Sequence, residues 1–266
     1  MTTKGRRTIE GKKLSGTAIH YWTNDEASDP CLFLLHPAFA DHTCFDAQIA
    51  HFEDRCKVIA MDLIGHGASQ GRGTIADTAA HIAGIMQAQG VEKIHLLGIS
   101  IGAVLAQDFA NVYPERLASL CCIGGYDINH FDAALQRKNG REQARMMARA
   151  MVSMERFARA NKEISAYTKA GQEAFYQMNL RFPRRSFRHL ASLGKRVNRQ
   201  PTPVRRYPLW IGVGEYDNEM AKQAAKKWAE SEPESRFLYF QGAGHVVNLD
   251  VPQAFNQMLE TMMRED

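Results

Sequence analysis

The sequence predicts an α/β fold: a mostly parallel central sheet flanked by helices, with a helical lid inserted in it. Three observations predict it. Short apolar runs of strand length recur along the 266 residues, with helical spacing between them. One of these runs leads straight into a serine fenced by two glycines, at Gly98-Ile99-Ser100-Ile101-Gly102. Finally, residues 127–206 break the rhythm in both composition and charge.

The strands come first. Ile19–Trp22, Cys31–Leu35, Val58–Met61, Ile94–Leu97, Ala118–Ile123, Leu209–Val213 and Phe237–Phe240 each form an apolar run. Apolar runs without alternation suit strands covered on both faces, which is the condition of a parallel sheet. The stretches 75–89, 101–112, 218–230 and 252–263 have helical spacing and good helix formers. Strands alternating with helices imply right-handed crossovers. Adjacent Cys121 and Cys122, inside one run, should point to opposite faces of their strand.

The segment 127–206 carries 18 Lys and Arg against 6 Asp and Glu, a balance of +12, while the rest of the chain balances at −8. It is rich in Ala, Met, Arg, Lys and Gln and has no strand-like run before Pro183, Pro201 and Pro203. It is expected to form several helices above the carboxyl edge of the sheet, where open α/β sheets bind ligands. The expected organisation is therefore a core of 1–126 and 207–266 with a cap at 127–206.

Composition bounds the rest. No apolar run reaches the roughly 20 residues that span a bilayer, and the N-terminus lacks the apolar stretch of a secretory signal. The five cysteines, Cys31, Cys44, Cys56, Cys121 and Cys122, are odd in number and lack metal-ligand spacing. They read as reduced core residues of a cytoplasmic protein. No phosphate loop, dinucleotide fingerprint or metal cluster is present in the sequence, so no cofactor is expected.

The serine is the chemical question. A strand, then Gly-x-Ser-x-Gly, then a helix lifts a hydroxyl out of a sharp turn at the top of a sheet. A hydroxyl of ordinary pKa needs a base, and the base needs an orienting acid. Past the strand LWIGV comes Gly214-Glu215-Tyr216-Asp217, and past FLYF comes Gly242-Ala243-Gly244-His245. Ser100, Asp217 and His245 thus follow three different strands at the same sheet edge, in the chain order serine, acid, histidine. Glu215 and Asp127 are lesser candidates for the acid.

With these pieces in place the chain resembles the α/β-hydrolase superfamily. The resemblance rests on LLHPAFADHTCFDAQIAHF (34–52), VIAMDLIGHGAS (58–69), GISIGA (98–103), GEYD (214–217) and GAGHVVNLDVPQAF (242–255). It is most similar to the small capped branch of serine esterases and perhydrolases. The resemblance implies an oxyanion hole from the backbone N–H of Ile101 and a second donor after His36-Pro37. Ala38 aligns with that donor by position. Pro37 departs from the usual glycine, and Ala38 and Phe39 both stay open as the donor. His36, Asp41, His42 and His66 are expected to support loops rather than carry protons.

The expected reaction is cleavage of a small carboxylic ester or thioester through an acyl-enzyme. Hydrolysis of a C–C bond, cofactor-free perhydrolysis, and a low-turnover ligand-binding signalling protein are the alternatives. A serine at position 100 argues against dehalogenase and epoxide hydrolase chemistry, which uses a carboxylate nucleophile. Phe39, Met146 and Phe157 are candidates for the substrate pocket. Met147, Met151, Met154, Phe131, Phe175 and Tyr176 could join them if their helix faces look inward. The expected partner is a small-molecule acyl substrate. No nucleic-acid partner is expected despite the basic cap, which reads first as a solvated surface and second as an attractor of anionic substrates. Membrane insertion is not expected, and a homodimer stays open.

Overall fold

The computed structural model describes residues 9–24, 29–130, 145, 148–150, 152–193 and 205–264. Eight strands form one sheet: β1 (Glu10–Lys13), β2 (His20–Thr23), β3 (Cys31–Leu35), β4 (Lys57–Met61), β5 (Ile94–Ile99), β6 (Leu117–Ile123), β7 (Leu209–Gly214) and β8 (Arg236–Phe240). Their spatial order is β1-β2-β4-β3-β5-β6-β7-β8. The first two strands pair antiparallel, β2 joins β4 antiparallel, and every pairing from β4 to β8 is parallel.

The alternation of side chains explains the layers. In β3, Phe33 and Leu35 enter one apolar layer while Leu32 and Leu34 enter the other. All five β3 residues are buried, as a doubly covered strand requires. Cys122 and Cys121 divide between the same two layers, as their adjacency requires. All five cysteines are buried and free.

Helices α1 (Asp46–Phe52), α2 (Thr78–Ala88) and α3 (Ile101–Val112) connect the central strands. Between β6 and β7 stand α4 (Met154–Ser165), α5 (Lys169–Arg181) and α6 (Phe187–Ala191). Ser153 and Thr168 cap α4 and α5, each side chain accepting a hydrogen bond from the backbone of the first turn. After β7 come α7 (Glu219–Ser231), α8 (Val247–Asp250) and α9 (Pro252–Arg264). None of the helices among the described residues is long and apolar enough to cross a membrane.

Two features depart from the sequence expectation. The strand β1, EGKK, is polar and largely exposed, so it has no apolar signature; it is held by pairing with β2. The strand β8 is not covered on both faces: it ends the sheet, and Phe237 and Tyr239 are exposed. The chain reverses its order of strands between β3 and β5. That switch point opens a crevice at the carboxyl ends of the strands.

Candidate active site

Ser100 follows β5 at this crevice. Its backbone lies at φ 57° and ψ −115°, a conformation that a residue with a Cβ rarely adopts. The fencing glycines hold it there. A Cβ on Gly98 would collide with the Gly102 backbone, and one on Gly102 with the Leu35 carbonyl. The Ser100 N–H donates to the Ile123 carbonyl (2.8 Å), fastening the turn to the end of β6. Ser100 is the residue before α3, yet its side chain makes no capping bond. Its hydroxyl is not consumed by the helix. Ile101 opens α3, where a backbone N–H has no partner within the helix.

His245 and Asp217 meet at 2.9 Å, Nδ1 to Oδ2. The Asp217 side chain is fully buried. Its other oxygen accepts from the Asn218 backbone N–H (2.7 Å) and the Asn218 side-chain amide (3.1 Å). Because Nδ1 donates to the carboxylate, Nε2 is the basic nitrogen left free. Burial works against a charge on His245, but the Asp217 charge and hydrogen bond outweigh it and raise the imidazole pKa above its ordinary 6.5. Gly124, just past β6 at φ +61°, makes room for the ring: a Cβ there would lie 2.9 Å from His245 Cε1. Ile123 holds Ser100 and Gly124 backs His245, so the serine and the histidine converge on the end of one strand.

The loop after β3 lies opposite. The Ala40 N–H donates to the Pro37 carbonyl (3.3 Å), closing a turn in which Phe39 takes φ 66°. His36 is fully buried. The Leu63 N–H donates to its Nε2 (3.0 Å), so Nδ1 carries the proton and donates to the Pro37 carbonyl (2.8 Å). Pro37 therefore starts a rigid turn that presents Ala38 and Phe39. Asp41 accepts from the Thr43 N–H (3.0 Å) and pairs with Arg181 of α5 (2.9 Å). His42 stacks on Trp22 at 3.4 Å and contacts Asp62 through Nδ1 (3.0 Å). His66 is buried beside His36, and its Nε2 has no hydrogen-bond partner among the described residues.

Phe39 ties this loop to the helices between β6 and β7. Its ring meets Phe157 of α4 edge-on at 4.8 Å and Phe182 at 5.1 Å, and it lies 5.8 Å from Phe187. Met154 and Leu190 pack on the same cluster. Met146, Met147, Met151 and Phe131, also weighed for the pocket, lie outside the described residues. Phe175 packs into the layer beneath instead, and Tyr176 lies under the Lys162 ammonium at 4.6 Å. Phe182 and Phe187 flank the Pro183 turn, where no single helix relates them, so their meeting on Phe39 is a feature of the folded chain alone.

The competing acids serve other partners. Asp127 accepts from the Asn129 N–H and from His130 (2.8 Å each), and Glu215 accepts from the Gly242 N–H (2.9 Å). A cavity of about 700 Å³ opens beside the site, lined by Asp41, His42, Met178, Arg181, Asn248 and Leu249 among others; Ser100, Asp217 and His245 do not line it. No cluster of three metal-ligating side chains occurs among the described residues.

Comparison with known proteins follows this geometry. A 2-hydroxy-6-oxo-6-phenylhexa-2,4-dienoate hydrolase of Comamonas testosteroni is 33% identical over 135 residues, 46% of each chain. A pimeloyl-[acyl-carrier protein] methyl ester esterase of Pectobacterium carotovorum is 31% identical over 106 residues, 40% of this chain and 41% of that one. These matches span less than half the length of either relative. A thermophilic esterase of Thermogutta terrifontis superposes with a TM-score of 0.79 at 23% identity, covering 97% of this chain and 98% of that one. The profile of the alpha/beta hydrolase family matches residues 32–258, from the first buried strand to the last helix, and the chain belongs to that family.

Proposed function

We propose that the protein is a serine hydrolase that cleaves a small carboxylic ester or thioester through an acyl-enzyme. The observation that carries the reading is the buried Asp217–His245 pair beside a serine held at positive φ. In this reading Ser100 Oγ attacks the acyl carbon while His245 Nε2 takes its proton. The N–H groups of Ile101 and Ala38 stabilise the oxyanion. Collapse of the tetrahedral intermediate breaks the bond to the leaving oxygen or sulfur, which receives the proton from His245. Water, deprotonated by the same imidazole, then releases the acid and restores Ser100. Asp217 holds the ring and stabilises its charged form. The aromatic cluster around Phe39 and Phe157 supports an apolar acyl or alkyl group, and residues 127–206 are taken as the cap that supplies it. Cytoplasmic location is part of the same proposal.

The test is labelling with a fluorophosphonate, with Ser100→Ala as control, followed by a series of p-nitrophenyl esters. Labelling and turnover that vanish in the variant support the reading. A folded wild-type protein that neither labels nor turns over any ester removes it and favours a ligand-binding role. The dienoate hydrolase relative favours a second reading, hydrolysis of a C–C bond on the same residues. Turnover of a vinylogous 1,5-diketone faster than of any ester would favour it.

A further inference from the structure

The segment from Ser165, the last residue of α4, to Thr168, the cap of α5, touches both loops that carry the proposed base and its acid. The Val246 N–H donates to the Ser165 carbonyl (2.9 Å). The Tyr167 ring stacks on Tyr216, the neighbour of Asp217, at 3.7 Å and 2°. The Tyr216 N–H donates in turn to the Ala243 carbonyl (2.8 Å), joining the two loops.

Asp250 stands at the centre of this junction, nearly buried. One carboxylate oxygen accepts from the Tyr167 N–H (2.9 Å) and from the Gly244 N–H (2.8 Å). The other accepts from the Thr168 N–H and the Thr168 hydroxyl (2.8 Å each). Four bonds fill the acceptor capacity of a carboxylate. Three come from the α4–α5 junction and one from the residue next to His245. A single side chain therefore fixes the helices above the site and the backbone that aims the imidazole.

We propose that Asp250 is a positioning residue, which couples the placement of α4 and α5 to the orientation of His245. The inference rests on His245 acting as the base. In this arrangement the helices do more than cover the site. If their junction leaves Asp250, the carboxylate keeps the Gly244 N–H but loses the other three of its four bonds, and the brace of the His245 loop is no longer fixed in place. Asp250→Asn keeps one acceptor oxygen and sets an amide donor against either the Tyr167 and Gly244 N–H groups or the Thr168 N–H and hydroxyl, so at least one N–H loses its acceptor in either orientation.

The experiment compares wild type with Asp250→Asn in the full chain. It uses the steady-state kinetics of a short p-nitrophenyl ester and the low-field proton resonance of the His245 Nδ1–H bonded to Asp217. The variant is expected to lose about tenfold to a hundredfold in kcat with KM changed far less, and its resonance should broaden or move. A lower melting temperature with unchanged kcat and an unchanged resonance overturns the proposal, since Asp250 is then structural only. If Asp250→Asn does not fold, Thr168→Val removes one of the four bonds together with the cap of α5, and Thr168→Ser is the control that keeps both. A loss of about threefold in kcat and a shifted resonance in Thr168→Val alone support the proposal; no difference between the two overturns it. A wild type inactive on every ester sinks the hydrolase reading, but the resonance still decides the role of Asp250.

Discussion

Gly124 lies against both halves of the His245–Asp217 pair: a Cβ built on it would be 2.9 Å from the ring and 3.6 Å from the carboxylate. The pair thus depends on a residue that contributes no side chain. Replacing Gly124 with alanine would strain the backbone at φ +61° by about 1–2 kcal/mol and push the imidazole off its partner. Gly124→Ala is expected to lose about a hundredfold in kcat with a melting temperature only a few degrees lower. Ester kinetics beside calorimetry check it; full activity would show that the ring has slack.

The acid limb of the pH profile follows from His245. Its pKa is raised because the Asp217 charge and hydrogen bond outweigh burial. Only the neutral ring can take a proton, so kcat/KM should fall as pH drops through a midpoint above 6.5. Asp217→Asn removes both raising causes and leaves burial. Its midpoint should move to lower pH, while kcat drops roughly ten-thousandfold. A midpoint that stays in place in that variant would assign the limb to another group.

The aromatic cluster predicts substrate size. Phe157 is buried edge-on to Phe39. Phe157→Leu shortens that wall with little loss of packing and should shift the preferred acyl chain of p-nitrophenyl esters toward longer homologues. A chain-length series with an unmoved optimum would place the acyl pocket elsewhere.

Asp41 anchors α5 to the loop after β3. Burial would raise its pKa, but hydrogen bonds from Thr43 and Arg181 outweigh it and hold the carboxyl below its ordinary range. A depressed carboxylate contributes stability above its unfolded pKa, and that stability is lost as pH falls through the folded value. The Arg181 side chain is about half exposed, so most of the contribution should come from the bonds that the Thr43 N–H and hydroxyl donate to Asp41. Asp41→Ala is expected to cost about 1–3 kcal/mol at neutral pH in urea unfolding. The gap to wild type should narrow as pH falls below the ordinary aspartate value of 3.8 and through the lower folded one. A gap independent of pH would mean that the loss is one of packing alone.

What the sequence made legible was what lies close together along it. The turn at Ser100 needs Gly98 and Gly102 within two residues, and Asp217 and His245 each sit a few residues beyond an apolar run. The two-layer core could be read from CLFLL and ASLCCI for the same reason. Gly124 and Asp250 escaped because their work is done across long separations. Gly124 clears space for a residue 121 positions later, and Asp250 binds the backbone of Tyr167 and Thr168 more than 80 positions earlier. The strand β1 escaped because EGKK is polar, and the exposure of β8 because FLYF reads the same at an edge as in a centre.

The burial of the cysteines has a practical consequence. Cys121 and Cys122 are neighbours in sequence that report on opposite sides of the same wall. Burial pushes Cys31 up to about 12 and Cys56 to about 11, and raises the other three as well. An aqueous alkylating reagent, which needs an exposed thiolate, meets none of them until the fold opens. The rate at which each thiol is modified is thus a clock for the opening of its own layer, built into the chain without added labels.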